Sequence, residues 1–518
     1  MVIKHLPCLG QFTKYCGCFI PSSPVKKHIF NPLVLFLLAF FCAGSVHLIN
    51  HNKLLQSSPN SLRNQISVST SDDASYLAPV ENFIAHGKWK SNAAGNAAIT
   101  TRSPGYGLIY AGFRMFLSVD QALIGLVLFQ LLLFALAVAL IPQIAAFLNL
   151  NSILGSAVAA GVAVLPLFSG FLSYTLTEAV TPSLVLIFLY GLFRFYREPK
   201  SGLFPIALLV GFLILVRPAL IVWVFAPCIL AVYHFREMRF RKLITLAIVS
   251  IFPILIWQVY ISVETETIQS LHPIYQDNNN DLYRPLHADI WNFHKSWGQT
   301  GYAFNSTVNQ LWSDALGDVN PQNSISKILE STDQNVVDLI GEDKLQNAYA
   351  SYFEILRNQV PYANQNLLVN GVSDSERELS ATFKEFRNTY LQDYWFYSNV
   401  VVPAKVYLQL GFHSNLNLFV FQKSWRGNTL MEALRYISFL IHFGIFLCFP
   451  LAAIITRKSA LCLSVSIPIL IYLGYLCIVQ RGVEERYTLP VLIPMLVIVA
   501  VAAQNILGKL RLKYQNRV

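Results

Sequence analysis

The sequence predicts an all-α polytopic membrane protein, and three observations predict it. First, 54% of the 518 residues are hydrophobic and only 13% are charged, where a soluble chain carries about 25% charged residues. Second, the apolar residues gather into runs of about 20, the length a helix needs to cross a bilayer. Third, lysine and arginine concentrate in short loops between those runs, which is how a membrane protein is oriented. That placement accounts for the net charge of +10 without a nucleic-acid partner.

Residues 1–29 form a basic tail with Lys4, Lys14, Lys26 and Lys27. The run from Ile29 to Asn50 is as long as a full span, so we expect an uncleaved first helix rather than a signal peptide. Expected spans lie near 30–50, 121–144, 152–172, 176–196, 202–217, 219–235, 243–262, 433–455, 459–479 and 488–507, about ten in all. A core of seven helices over 30–262 is thus followed by a polar segment, 263–432. Helices over 433–507 and a tail over 508–518 close the chain.

Charge then fixes the sides. Arg194, Arg197 and Lys200 follow the fourth span, and Arg236, Arg239, Arg241 and Lys242 the sixth. Arg457 and Lys458 follow the eighth, and Lys509, Arg511, Lys513 and Arg517 end the chain. With the N-terminal tail, all these clusters fall on one side, which is the cytoplasm. The polar segments 51–104 and 263–432 are then extracytoplasmic. Residues 105–118 are moderately apolar but short and contain Arg114. A crossing there would turn the basic clusters after the fourth and sixth spans outward, so we expect a juxtamembrane or re-entrant helix closing a first external loop over 51–120.

The 263–432 segment is too long for a structureless loop. Apolar spacing predicts helices over Glu342–Arg357 and Asp374–Tyr397, and Trp291, Trp297, Trp312, Trp395 and Trp425 supply core-forming bulk. We expect a compact helical cap on the outer face. Asn278-Asn279-Asn280-Asp281 reads as a polar turn. Neither polar segment holds a cysteine, so no disulfide framework is expected. Cys16-Gly17-Cys18 lacks zinc-site spacing. There is no Walker A motif, dinucleotide fingerprint or HExxH, so no cofactor and no metal are expected.

The candidate chemistry lies on the outer side. Asp72-Asp73, in Ser71-Asp72-Asp73-Ala74-Ser75-Tyr76, opens a predicted helix. Adjacent side chains on a helix diverge by about 100°, so only one can face a reacting atom. One acid can act as general base while the other holds a partner, and an N-cap is the competing role. Arg102, before Pro104-Gly105, can grip a phosphate or snorkel to the interface. Glu178, Arg217 and Arg486, with Arg481, Glu484 and Glu485, recur at outer ends of spans. Each alone is an ordinary boundary residue. Together they make a ring of charge suited to an anionic headgroup.

The pattern resembles the GT-C superfamily of membrane glycosyltransferases, in the branch of lipid A aminoarabinose transferase and the protein O-mannosyltransferases. Asp72-Asp73-Ala74-Ser75-Tyr76, Gly87-Lys88-Trp89, Arg102-Ser103-Pro104-Gly105-Tyr106 and Arg486-Tyr487-Thr488-Leu489-Pro490 carry the resemblance. It covers most of the first 262 residues and the last span. The polar stretch Lys90–Thr101 departs from it, as does Gly107 where several relatives carry a bulkier residue.

The resemblance implies a GT-C-type fold and inverting, metal-independent transfer of a sugar from a polyprenyl-phosphate donor to a hydroxyl of a glycan, lipid or protein acceptor. Asp72 would be the general base. Arg102 would lead in holding the donor phosphate, with Arg217 and Arg486 behind it. Asp73, Tyr76, Glu178 and Tyr106 would orient the substrates or the arginines. It further implies a bacterial plasma membrane, with membrane lipids around the chain and the active site extracytoplasmic. An O-antigen polymerase or ligase shares the large external loop but lacks an early Asp-Asp-x-x-Tyr. A transporter would place its charges mid-span and repeat its halves.

Overall fold

The computed structural model describes residues 31–70, 72–87, 89, 99–100, 102–198, 202–233, 238–265, 275–276, 285–364, 373–412 and 428–515. The tail 1–29 with Cys16-Gly17-Cys18, Ser71, Lys88, Lys200, Arg236, Asn278–Asp281, Trp425, Arg517 and most of Lys90–Thr101 lie outside the described residues.

The chain is helical almost throughout, as expected. In order, the helices are α1 (Pro32–Ser57), α2 (Ala74–His86), α3 (Gly105–Arg114), α4 (Val119–Phe147), α5 (Ser152–Val164), α6 (Pro166–Ser169), α7 (Thr181–Arg197), α8 (Leu203–Val216), α9 (Phe225–Val232) and α10 (Met238–Thr265). The polar segment contributes α11 (Pro285–Ser296), α12 (Gly301–Leu316), α13 (Gln322–Ser331), α14 (Gln334–Ile340), α15 (Glu342–Asn364), α16 (Asp374–Phe396) and α17 (Val402–Phe412). The last three are α18 (Thr429–Thr456), α19 (Ala460–Gly474) and α20 (Leu489–Gln515).

Local chemistry sets many of the starts. Asn31 caps α1 through a 3.0 Å bond from the Leu33 amide, with Pro32 in the first turn, where its missing N–H costs nothing. Ser118 with Gln121 and Ser373 with Glu376 form capping boxes on α4 and α16, each satisfying two otherwise orphaned donors.

Among the described residues, six helices are long and apolar enough to cross a membrane: Pro32–Ser57, Val119–Phe147, Phe240–Val263, Thr429–Thr456, Ala460–Gln480 and Arg486–Gln515. A seventh span is formed if α5 and the stretch Pro166–Ser173, bent by 64° from it, count as one. The other three expected spans fall on shorter helices. α7 has 17 residues and α8 has 14, a rise of about 21 Å for the latter against a hydrocarbon core of about 30 Å. The third falls on Pro218–Val232. The physical reason is local. Pro218 pushes Arg217 out of the helical region, to φ −148° and ψ 101°, and α8 ends there. The stretch from Tyr174 to Leu176 is likewise extended before α7 begins. Helices that stop early leave room for polar side chains at their ends.

The span helices pack into one continuous core, α1 on α4 and α5, α4 on α7, α8 on α10, and α18 on α20. α3 is ten residues long, a rise of about 15 Å, half the thickness of a hydrocarbon core. A second core binds α11 to α16 around Phe293, Tyr349 and Phe383, with α15 and α16 over the two helices predicted there. Two short pairings complete the fold. β1 (Leu62–Arg63) meets β2 (Ser67–Val68), and β3 (Ile99–Thr100) meets β4 (Tyr275–Gln276), both antiparallel.

Candidate active site

The loop between α1 and α4 is held in place by three devices. Val68 of β2 bridges Tyr174 in parallel, and the Thr175 amide donates to the Val68 carbonyl at 3.3 Å. Gly87, at φ +68°, closes α2 in a left-handed cap, a conformation cheap only for glycine. Gly105 brings the start of α3 against the end of α8, where a Cβ would stand 2.4 Å from the Leu215 carbonyl carbon and the Val216 nitrogen. That close approach joins the segments that bring Arg102 and Arg217 to one cavity. Gly107 is crowded too, since its Cβ would meet the Tyr76 carbonyl at 3.0 Å and the Trp89 ring at 3.1 Å. The small residue at 107 is thus matched to the indole packed on it.

These elements enclose a cavity of about 480 Å³, with Asp72, Tyr76, Arg102, Glu178, Arg217 and Arg486 in its wall. Six of the eight candidate residues, scattered from 72 to 486 in the chain, therefore share one space. Asp72 takes two of the three arginines in that wall. One carboxylate oxygen accepts from Arg102 Nη2 at 2.8 Å and the other from Arg486 Nη1 at 3.1 Å. Arg102 also donates Nη1 to the Tyr76 hydroxyl at 2.8 Å and lies over that ring at 4.9 Å. Burial pushes the Tyr76 phenol up, with Arg102 opposing, so at neutral pH it is an uncharged hydroxyl. Across the cavity Arg217 Nη1 donates to Glu178 Oε1 at 2.8 Å, and the Thr177 hydroxyl donates to Glu178 Oε2 at 3.0 Å.

Asp73 and Tyr106 do not join the cavity wall. Asp73 takes a bidentate grip from Arg63, at 2.7 and 3.0 Å, and a bond from the Thr175 hydroxyl at 3.2 Å. Its side chain is only 4% exposed. It stands at the N-cap position of α2 without making a capping bond, so neither acid caps the helix. It ties the β1 turn and α2 to Thr175, just before the 3-10 turn Thr177–Ala179 that carries Glu178. Tyr106 is fully buried, and its hydroxyl donates to Gln130 Oε1 at 2.9 Å. Gln130 in turn donates to the Leu172 carbonyl at 2.7 Å. Tyr106 packs edge-on against Tyr76 at 5.5 Å, so it underpins the cavity floor.

Sequence reasoning missed several residues in the wall. Tyr487, Tyr475 and Gln480 come from the turns around α19 and α20, and Asn305 comes from α12. Tyr487 was visible beside Arg486. Asn305 gave no signal, since a polar residue on an amphipathic helix is the ordinary case. Among the described residues, no group of three His, Cys, Asp or Glu side chains is placed to hold a metal ion.

Chemically, the cavity offers the carboxylates of Asp72, Glu178 and Glu484 for an incoming hydroxyl and three guanidiniums for an anion. In this state every arginine already holds a carboxylate, Arg486 holding both Asp72 and, through Nε at 2.5 Å, Glu484. A bound phosphate would compete for those donors and release an oxygen of Asp72.

No family model matches the chain, and no curated protein matches it. Among solved structures the chain is similar to ArnT from Cupriavidus metallidurans bound to undecaprenyl phosphate. The likeness covers 91% of this chain and 78% of that one, at 13% identity and a TM-score of 0.32.

Proposed function

We propose that the protein is an integral membrane glycosyltransferase that moves a sugar from a polyprenyl-phosphate donor to an acceptor hydroxyl on the extracytoplasmic face. One observation carries the reading: a single cavity gathers the Asp72 carboxylate and three arginines from four distant parts of the chain. A base next to an anion seat is what this transfer needs. At the outer face a lipid-carried sugar is the natural activated donor.

In this reading the donor phosphate takes guanidinium donors from Asp72, and the freed carboxylate oxygen accepts the proton of the acceptor hydroxyl. The hydroxyl oxygen attacks the anomeric carbon from the face opposite the phosphate. The bond from that carbon to the phosphate oxygen breaks, and its electron pair stays on the phosphate. The configuration inverts and polyprenyl phosphate leaves, its charge held by Arg102, Arg217 and Arg486. Glu178 keeps Arg217 aimed into the cavity. Asp72 then returns its proton to water. Tyr76 orients the reacting groups through its bond to Arg102.

Purified protein in nanodiscs, given a panel of synthetic undecaprenyl-phosphate monosaccharides, is expected to release undecaprenyl phosphate from at least one of them. Release from none of the panel, with no binding of undecaprenyl phosphate itself, would overturn the assignment. The face is tested by labelling engineered cysteines at positions 72 and 300 with an impermeant reagent. Protection of both sites in intact cells would place the cavity on the wrong side.

A further inference from the structure

Tyr487 receives two cations on one ring. The Arg217 and Arg486 guanidinium carbons each lie 5.3 Å from its centroid, so they stand no more than twice that distance apart. Both guanidiniums also act on the Glu178 carboxylate, and like charges gathered on one ring and one acid repel each other. The negative face of an aromatic ring is one of few neutral surfaces that attract both.

The ring is itself held fast. Tyr487 sits in the turn Glu485–Thr488, just before α20. Its carbonyl accepts from the Tyr472 hydroxyl at 2.8 Å. The Thr488 hydroxyl lies 3.3 Å from Nε2 of the buried His442. Gly482 packs against one edge of the ring, where a Cβ would stand 2.9 Å from Cε2.

The arginines differ in what remains free. Arg102 spends both terminal nitrogens on Asp72 and Tyr76. Among the described residues Arg217 makes a single hydrogen bond, to Glu178, with its side chain 13% exposed at the cavity wall. It keeps Nε and Nη2 donors for a ligand.

We infer that Tyr487 is a positioning residue that pairs Arg217 with Arg486 as a two-guanidinium seat for one lipid-linked phosphate group. The inference rests on the proposed transfer reaction and reorders its parts. Arg217 and Arg486 carry the phosphate, and Arg102 chiefly orients Asp72. A phosphate between two guanidiniums takes parallel bonds from each and removes their repulsion.

The test uses the full chain in nanodiscs, with undecaprenyl phosphate as the probe and sugar release as the second readout. Tyr487→Leu removes the ring, and the Kd for undecaprenyl phosphate and the KM for the donor are expected to rise about tenfold or more, with kcat changing less. Tyr487→Phe, which keeps the ring, is expected to restore both. Native affinity in Tyr487→Leu, or an equal loss in Tyr487→Phe, overturns the inference while the transfer reading stands. No binding to the native protein removes the transfer reading and this inference with it. If Tyr487→Leu does not fold, Gly482→Ala displaces the ring by its new methyl group. Its donor affinity must then fall with thermal stability kept, and unchanged affinity overturns the inference.

Discussion

Exchanging each of the two neighbouring acids for its amide separates chemistry from architecture. In Asp72→Asn the side chain is 26% exposed and bonded to two arginines that are themselves partly open to the cavity. Ion pairs of that exposure contribute at most about 1 kcal/mol each. The asparagine oxygen still accepts from Arg102, so stability should fall by no more than about 1–2 kcal/mol. Removing a general base, in contrast, costs about 10²–10⁴ in rate. Asp73→Asn should do the reverse. Its carboxylate is buried and takes three bonds, two of them from Arg63. Hydrogen bonds to charged groups are worth about 1.5–3 kcal/mol, and Arg63 is a third exposed, which places the loss toward the lower end of that range. The assay is paired: initial rate of undecaprenyl-phosphate release per folded molecule, and thermal unfolding in the same detergent. Asp72→Asn with more than a tenth of native rate, or Asp73→Asn with a full loss of rate at native stability, would refute the assignment of roles.

Arg217→Met strands the Glu178 carboxylate, 4% exposed, and breaking such a buried pair costs about 3–5 kcal/mol. The double change with Glu178→Gln should recover much of that stability in thermal unfolding without restoring transfer. Gly105→Ala forces a methyl group into the Leu215–Val216 backbone. Overpacking of that kind costs about 1–3 kcal/mol, read as a lower unfolding temperature together with weaker undecaprenyl-phosphate binding. In the cap, burial holds the His294 imidazole down at about 3, only partly opposed by its bond with Gln299. The unfolded chain therefore binds the proton first, at about 6.5. The stability this neutral imidazole provides is complete above that pH and lost as pH falls toward 3. Trp297, whose ring lies 4.5 Å from His294, should report the loosening by fluorescence. A signal flat from pH 7 to 5, where carboxylates stay ionised, would contradict it.

Much of the fold was legible because hydrophobic length and charge placement are local properties. The apolar runs marked every membrane-grade helix among the described residues, and amphipathic spacing found α16 within a residue of its ends but stopped α15 at Arg357, short of Asn364. Helix length was less legible. α7 and α8 read as full spans by composition, yet they are cut short by an extended stretch before Thr181 and by Pro218. Composition averaged over a run does not register such a local break, even where, as at Pro218, its cause is in the sequence.

The candidate site divides along the same line. The sequence by itself determined the residue types: carboxylates and arginines at the ends of apolar runs, where charge is tolerated only at a cost that function repays. Only the tertiary structure decided which of two adjacent aspartates faces the cavity. Side chains one residue apart on a turn point different ways, and the partner that captures each, Arg63 for one and Arg102 with Arg486 for the other, comes from as far as 414 residues away. Only the structure set two guanidiniums on the ring of Tyr487 and delivered Asn305 from α12 to the wall. Such contacts have no periodicity in the chain, because they are made by close backbone approach between elements, as at Gly105, rather than by any pattern within one element.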